Sequence, residues 1–392
     1  MDKKIKILEP VFVDPDGKGL HIQEIFREIP KVKPADVRDD EANYMAFFIR
    51  QPFRVTEYLD EISTEAWMLM QKGLVKPLIM MTYEQWDLFE IFKDFKDSPY
   101  KFFIQHFLDR DIPEENITWV VADHNHKAQI EYLRSKGQDV KCRFIQYNSL
   151  VELMSRYAKD YVIKDHRISK HYSCLCRGRP RHNRIGMIYN LWYNDLWSKG
   201  NVSCEPYSST VQTKGFHWLD DKVSTDQFMS KFKGWDQTQE QFKQALPLTF
   251  DGKQNKHWVP WEYDDSALFE SAFVWIACET AKEQDGIFIT EKTLKAITYG
   301  KPFMINGDPG SIEYLKSIGF KTFAHYWDES YDLSGSVEKI QKITDIIKNI
   351  CAMSLADINA MYNDMLPILK HNQNLLRNMN QYDTLLGELQ NG

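Results

Sequence analysis

Three short apolar runs, KPLIMMTY, NITWVVAD and KCRFIQYN, alternate with segments of helical periodicity between residues 76 and 160. No other feature restricts the fold of this chain so far. The runs have strand length, whereas QWDLFEIFKDF, HKAQIEYLRSKG and SLVELMSRYAK repeat their apolar residues at helical spacing. Strands separated by helices pair through crossovers, so the pattern predicts βαβ units and a parallel sheet. Upstream, IKILEPVFV and NYMAFFIR read as strands and EYLDEISTEAWMLMQKG as a helix. The alternation restarts at HYSCLC, a strand, followed by the helix RIGMIYNLWYNDLWSKG closed by Gly200 and the strand NVSCEPY. FESAFVWIACET reads as a buried strand. TEKTLKAITYG reads as a helix with Thr290 as N-cap and Gly300 just past its end. KPFMING, SIEYLKSIG and FKTF continue as strand, helix and strand, and the chain is helical and amphipathic from Ser336.

The expectation is α/β: two doubly wound domains facing a shared cleft, divided near Lys159–His171. They are residues 1–165 and 166–335, followed by C-terminal helices over 336–392. An irregular insertion over 208–263 carries four tryptophans. With 43% hydrophobic and 27% charged residues the composition is globular. No apolar run reaches the roughly 18–20 residues of a membrane span, and MDKKIKILEPVFVD lacks the apolar stretch of a secretory signal. The six cysteines form no C-x-x-C pair and read as reduced, mostly buried thiols of a cytoplasmic protein. A net charge of −7 argues against a global polyanion-binding surface.

In doubly wound sheets ligands bind beyond the carboxyl ends of the strands, so chemistry is sought in the turns that follow them. In CLCRGRPRHNR, Arg177, Arg179, Arg181 and Arg184 fall within eight residues, and no acid occurs from His166 to Asn194. Guanidiniums that follow a strand and enter a helix join the free N–H groups of the helix start, which suits a diphosphate. The plain alternative is a solvated basic loop. At the second turn Thr290 caps a helix whose first residues are Glu291 and Lys292. An ammonium is unfavourable at the positive end of a helix unless an anion relieves it, and Glu291 could accept from ribose hydroxyls. Ordinary capping with an exposed lysine is the alternative there.

Three segments resemble a GT-B-type glycosyltransferase family of phages, viruses and bacteria. They are LPLTFDGK, ETAKEQDGIFITEKTLKAITYGKPFMINGDPGSIEYLKSIGFKTF and WDESYD, and CLCRGRPRHNR is similar to the family's Arg-rich turn. The T-E-K, G-K-P-F and G-x-P-G elements also resemble the donor half of fucosyltransferase-like enzymes. The resemblance spans roughly Tyr172–Asp332 and implies two Rossmann-like domains, with a nucleotide sugar held by the C-terminal one. It implies that Glu291 holds the ribose, that Lys292, Arg177 and Arg179 hold the diphosphate, and that Asn306–Gly310 lets the backbone approach the donor. Glu279 is a second candidate for sugar hydroxyls. The donor, such as a UDP-sugar, is a substrate, and no cofactor is expected. No metal is expected either, since the histidines, His124 and His126 among them, lack ligand spacing.

An acceptor hydroxyl needs a general base, and the candidates follow strands of the first domain: Glu84, with Asp87 beside it, and Asp123. The family connection and a chain rich in Lys, Asp and Asn suggest a phage or viral origin, and hence the host cytoplasm. Phages place such enzymes on DNA with hydroxymethylated bases or on surface glycans. Duplex DNA carrying 5-hydroxymethylcytosine is the preferred acceptor, because the insertion sets Trp218, Trp235, Trp258 and Trp261 beside Lys214, Lys231, Lys233, Lys253 and Lys256. A satellite hydrophobic cluster is the alternative for those tryptophans. A glycan acceptor, or a non-catalytic nucleotide-binding module on the same scaffold, stays open. No membrane and no obligate protein partner are expected.

Overall fold

The computed structural model describes residues 4–9, 12–13, 29–48, 59–81, 98–122, 124, 126–135, 137, 139–163, 168–176, 181–204, 225–247, 266–279 and 286–391. The chain forms two compact units: unit 1, Met1–Leu153 with Asn380–Gly392, and unit 2, Met154–Met379.

Unit 1 holds β1 (Ile5–Leu8), β2 (Phe12–Val13), β3 (Lys31–Val32), β4 (Ala42–Phe48), β5 (Lys76–Met81), β6 (Thr118–Val121) and β7 (Arg143–Gln146). They form one parallel sheet in the order β3-β1-β4-β5-β6-β7, with β2 also on β4. IKILEPVFV is therefore two strands on one partner: Ile5 lies beside Ala42 and Phe12 beside Phe47. The first ends at Leu8 and the second begins at Phe12. Helices α1 (Thr64–Gln71), α2 (Pro99–Leu108), α3 (His126–Ser135) and α4 (Ser149–Asp160) follow the pattern. Ser63 caps α1 by accepting from Ala66 N at 3.2 Å, and Ser98 caps α2 by accepting from Lys101 N at 3.3 Å. The α2 segment, PYKFFIQHFL, is missing from the sequence reading, and it opens with a proline. At the first helical position its missing N–H costs nothing.

Both faces of this sheet are covered, which is why its strands are apolar almost throughout. On one face Tyr44, Phe48, Met80 and Val120 pack with Leu385 and Leu389 of the last helix, and Tyr44 Oη donates to Leu389 O at 2.8 Å. On the other, Phe47 meets Phe107 of α2 edge-on at 6.0 Å and Trp119 meets Phe103 at 5.2 Å.

Unit 2 contains β8 (Lys170–Cys176), α5 (His182–Tyr193), β9 (Gly200–Cys204), α6 (Thr225–Met229), α7 (Trp235–Ala245) and α8 (Ser266–Ser271). It continues with β10 (Ala272–Cys278), α9 (Glu291–Thr298), β11 (Phe303–Asn306), α10 (Ser311–Ser317), α11 (Ser336–Ala352) and α12 (Leu355–Asn378). The remaining helix, α13 (Gln381–Gln390), belongs to unit 1. The second sheet is parallel in the order β11-β10-β8-β9. Helices α5 and α11 lie together on one face, where a Cβ on Gly186 would come within 3.1 Å of Ile340. Helices α8, α9 and α12 take the other: Ser173 Oγ donates to Leu268 O at 3.2 Å and Tyr362 Oη to Gly300 O at 3.0 Å.

Four local expectations change. FKTF is not a strand, because Asn372 accepts from Lys321 N at 2.8 Å and Glu329 from Phe323 N at 2.7 Å, so side chains take the place of a ladder. The first three residues of FESAFVWIACET, Phe269–Ser271, belong to the helix α8, and the strand begins at Ala272. Helix α5 stops at Tyr193, and Gly200, extended, caps the separate 3-10 turn Trp197–Lys199 and opens β9 instead of closing α5. The insertion contains α6 and α7, and its Trp235 is 3% exposed, edge-on to Tyr189 at 5.2 Å. Trp235 is thus part of a hydrophobic cluster and not of a stacking lip, whereas Trp218, Trp258 and Trp261 lie outside the described residues. The boundary between units falls inside α4, whose second half is tied to unit 2 by Ser155 Oγ donating to Met379 O at 3.0 Å.

Candidate active site

The order of the second sheet sets where a ligand crevice is expected. From β8 the chain steps to β9 on one side and then to β10 on the other, so the switch point lies between β8 and β10. Ligands of open α/β sheets bind beyond the strand ends at such a point. Here β8 ends at Cys176 and runs into the Arg-rich turn, and β10 ends at Cys278 and runs into Glu279. The two turns singled out in the sequence therefore follow the two strands that flank the switch.

Glu279 is 1% exposed and organises the second turn. Its Oε1 accepts from Thr290 N at 3.1 Å, Thr293 N at 3.2 Å and Thr293 Oγ1 at 2.7 Å, and its Oε2 accepts from the Thr290 hydroxyl. Four donors reach this carboxylate, three on Oε1 and one on Oε2. Glu279 thus fastens the start of α9 to the end of β10. Thr290 is the N-cap of α9, accepting from Lys292 N at 3.3 Å and from Lys292 Nζ at 3.1 Å. A Cβ on Gly307 would stand 3.0 Å from the Glu279 Cβ, so glycine after β11 is required by this close approach.

Lys292 Nζ also donates to Glu291 Oε1 at 2.8 Å, with side chains 19% and 10% exposed. Burial by itself would raise the Glu291 carboxyl, but the adjacent Lys292 ammonium, with Arg184 beyond it, holds it below the usual carboxylate range. The pair is a charged acceptor and a charged donor set at the positive end of a helix. Asn306, 1% exposed, donates through Nδ2 to Asn183 O at 3.0 Å, and Asn183 Nδ2 donates to Glu279 O at 3.0 Å and Asn306 O at 3.2 Å. Asn306 therefore joins β11 to the first turn of α5 through its side chain. Asn183 and Thr293 carry this network and went unnoticed in the sequence, whereas Arg184, named there in the Arg-rich turn, donates through Nε to Cys278 O at 3.3 Å. Asn183 and Arg184 close the Arg-rich segment, which was the available signal.

Arg181 is the N-cap residue of α5 and is half-buried, and no acid stands in that helix's first turn. Arg177, Arg179, Glu84, Asp87 and Asp123 lie outside the described residues. His126 opens α3, buried and stacked over Phe144 at 6.4 Å, while His124 contacts the Gln146 amide. Burial, with His126 adding to it, lowers the His124 imidazole to about 3. The WDESYD segment is structural stitching. Glu329 accepts from Thr322 Oγ1 at 2.8 Å, and Asp332 Oδ2 accepts from Ile312 N of α10 at 2.9 Å. Burial raises the Asp332 carboxyl against the pull of Lys339, which donates to Gly307 O at 2.7 Å. Five cysteines are buried, none is in a disulfide, and neighbouring thiols and the Asn306 amide hold the Cys278 thiol well below its ordinary range. Among the described residues no helix is long and apolar enough to cross a membrane.

No protein-family description matches the chain, and no curated protein matches it by sequence. Solved structures do resemble it in outline. The DNA modifying enzyme beta-glucosyltransferase, studied with and without uridine diphosphoglucose, is 10% identical with a TM-score of 0.44, over 99% of this chain and 97% of that one. T4 phage BGT in complex with UDP-glucose is 10% identical with a TM-score of 0.41 over the same shares. An alpha,alpha-trehalose-phosphate synthase (UDP-forming) from Burkholderia vietnamiensis is 12% identical with a TM-score of 0.41, over 100% of both chains.

Proposed function

We propose that this protein is a glycosyltransferase of GT-B type that moves a sugar from a nucleotide-sugar donor, such as a UDP-sugar, to a hydroxyl acceptor. The observation that carries this reading is the switch between β8 and β10, beyond which the Arg-rich turn and the Glu291–Lys292 pair follow in the chain. Glycosyl transfer builds negative charge on the leaving diphosphate, and fixed cations with helix N-termini stabilise that charge in the transition state. Lys292, Arg181, Arg177 and Arg179 supply the cations, and α5 and α9 the helix starts. Glu291, kept ionised by Lys292, accepts from the ribose hydroxyls. With the diphosphate neutralised by side chains, the reaction needs no metal at that position. Glu84 or Asp123 takes the acceptor proton.

The acceptor in this reading is a hydroxymethylated base, 5-hydroxymethylcytosine, in duplex DNA. It is supported by Trp258 and Trp261 with Lys253 and Lys256 in the insertion, a composition suited to holding a flipped base against flanking phosphates. The test has two stages. Thermal shift against UDP-, GDP- and CMP-sugars identifies the donor, since a bound ligand stabilises by mass action. Transfer is then assayed on hydroxymethylated DNA, plain DNA and saccharides. Transfer only to a saccharide replaces the DNA acceptor with a glycan. Binding with neither transfer nor slow donor hydrolysis identifies a non-catalytic nucleotide-binding module.

A further inference from the structure

We infer that Cys174, Cys176 and Cys278 form a trigonal thiolate site for one soft metal ion, buried at the carboxyl end of the second sheet. Cys174 and Cys176 are two residues apart on β8 and so project from the same face. The β8–β10 register pairs Trp275 with Ser173, and carried along the strands it sets Cys278 beside Cys176. The sulfurs converge: Cys174 Sγ lies 3.8 Å from Cys278 Sγ and 4.0 Å from Cys176 Sγ, and all three fall within 4.8 Å of one another.

Those separations are what a shared ion requires. Thiolates bound at about 2.3 Å stand about 3.8 Å apart in tetrahedral and about 4.0 Å apart in planar trigonal coordination. The sulfurs need hardly move to accept an ion. A disulfide is less well served. Neighbours two apart on a strand have Cα atoms about 6.6 Å apart, and the Cys174–Cys278 diagonal is about 8 Å, at or past the limit for bridging. Only Cys176–Cys278, paired across adjacent strands about 4.8 Å apart, has the spacing of a disulfide, and it would leave Cys174 out. Three thiolates in a dry setting select a soft ion over a hard, oxygen-seeking one. The cysteines are 0%, 5% and 3% exposed.

The surroundings suit the charge. Asn306 Nδ2 donates toward Cys278 Sγ at 3.6 Å, and the buried Arg184 donates through Nε to Cys278 O at 3.3 Å. Both are outer partners of the kind that orient ligands and offset their charge. Binding a divalent ion displaces the thiol protons, and three thiolates leave a single negative charge beside that guanidinium. On the far side of Cys176, Cys204 occupies the paired position of β9. The site belongs to the sheet and stands whether or not the protein transfers sugars. An ion there would clamp β8 to β10 just before both enter the turns described above.

The test loads the full-length reduced chain anaerobically with Cd(II), both in the folded state and during refolding. We expect one ion per chain, an ultraviolet thiolate-to-cadmium band of three-thiolate intensity, proton release and a raised Tm. Cys174→Ser and Cys278→Ser should each weaken binding by about tenfold or more and reduce the band, while Cys351→Ser and Cys142→Ser keep both. Folding of each variant is checked by circular dichroism. If the serine variants do not fold, the wild-type chain decides alone. A three-thiolate band at one equivalent supports the site, whereas no uptake by either route overturns it, as does a band that disappears only with Cys142 or Cys351.

Discussion

Glu279 accepts the Thr293 hydroxyl at 2.7 Å and the Thr293 amide at 3.2 Å, so the residue that ends a strand holds the first turn of a helix fourteen positions later. The bond spans the segment 280–285 and sets where Glu291 and Lys292 stand. Replacing Glu279 with Gln removes the charge from four hydrogen bonds and turns an NH2 group toward donors. The expected loss is about 1.5–3 kcal/mol, and about 1 kcal/mol for Thr293→Val, read from urea unfolding. A Glu279→Gln protein as stable as the parent would remove Glu279 as the anchor of α9.

Lys292→Met tests the donor site. A charge-assisted contact is worth about 1.5–3 kcal/mol, so donor affinity and kcat/KM should both fall roughly ten- to hundredfold. The substitution also takes away the ammonium that holds the Glu291 carboxyl low. Glu291 should then protonate at higher pH, and the acid limb of the kcat/KM profile should move upward. Parent-like kinetics would exclude Lys292 from the site.

Metal dependence separates two ways of neutralising a leaving diphosphate. If Lys292 and the arginines do so, EDTA should leave most activity in place. Activity abolished by EDTA and restored by Mg²⁺ would overturn that arrangement. The thiolate cluster does not confuse the result, because Mg²⁺ takes oxygen ligands.

Lys301 predicts a pH dependence of stability. It is 1% exposed, donates to Glu270 O at 3.3 Å and sits 4.5 Å from the Tyr362 ring centroid. Burial lowers its ammonium to about 7 from an ordinary 10.5, with Glu270 opposing. Between these values the unfolded chain holds a proton that the folded chain has released, so stability rises with pH through that window. Its size should be on the order of a few kcal/mol. Lys301→Met should flatten the rise relative to the parent in urea midpoints measured from pH 7 to 10. Parallel curves would show Lys301 charged in the fold.

The acceptor is tested by salt. Binding to hydroxymethylated duplex DNA should weaken with a log–log slope of about −0.9 per phosphate contact, despite a net charge of −7. Trp258→Ala or Trp261→Ala should reduce turnover on that DNA more than donor hydrolysis, because only the former needs the base held. Equal effects on both reactions would place these tryptophans away from the acceptor.

Local alternation of apolar runs and helical periods was enough to locate most strands and helices, because period and capping are properties of neighbours in the chain. Thr290 as N-cap was legible for the same reason, as was the order in which the Arg-rich segment and α9 follow β8 and β10. The sequence could not reveal that Glu279 accepts from four donors, since its partners depend on how α9 returns to β10. Nor could it show that Trp235 is buried, that FKTF spends its backbone groups on Asn372 and Glu329, or that α13 packs on the first sheet. Cys174 and Cys176 are neighbours in the sequence, but Cys278 joins them only through the register of two parallel strands. Hydrogen-bond partners, burial and convergence of distant side chains are set by tertiary packing, and only the folded chain decides them.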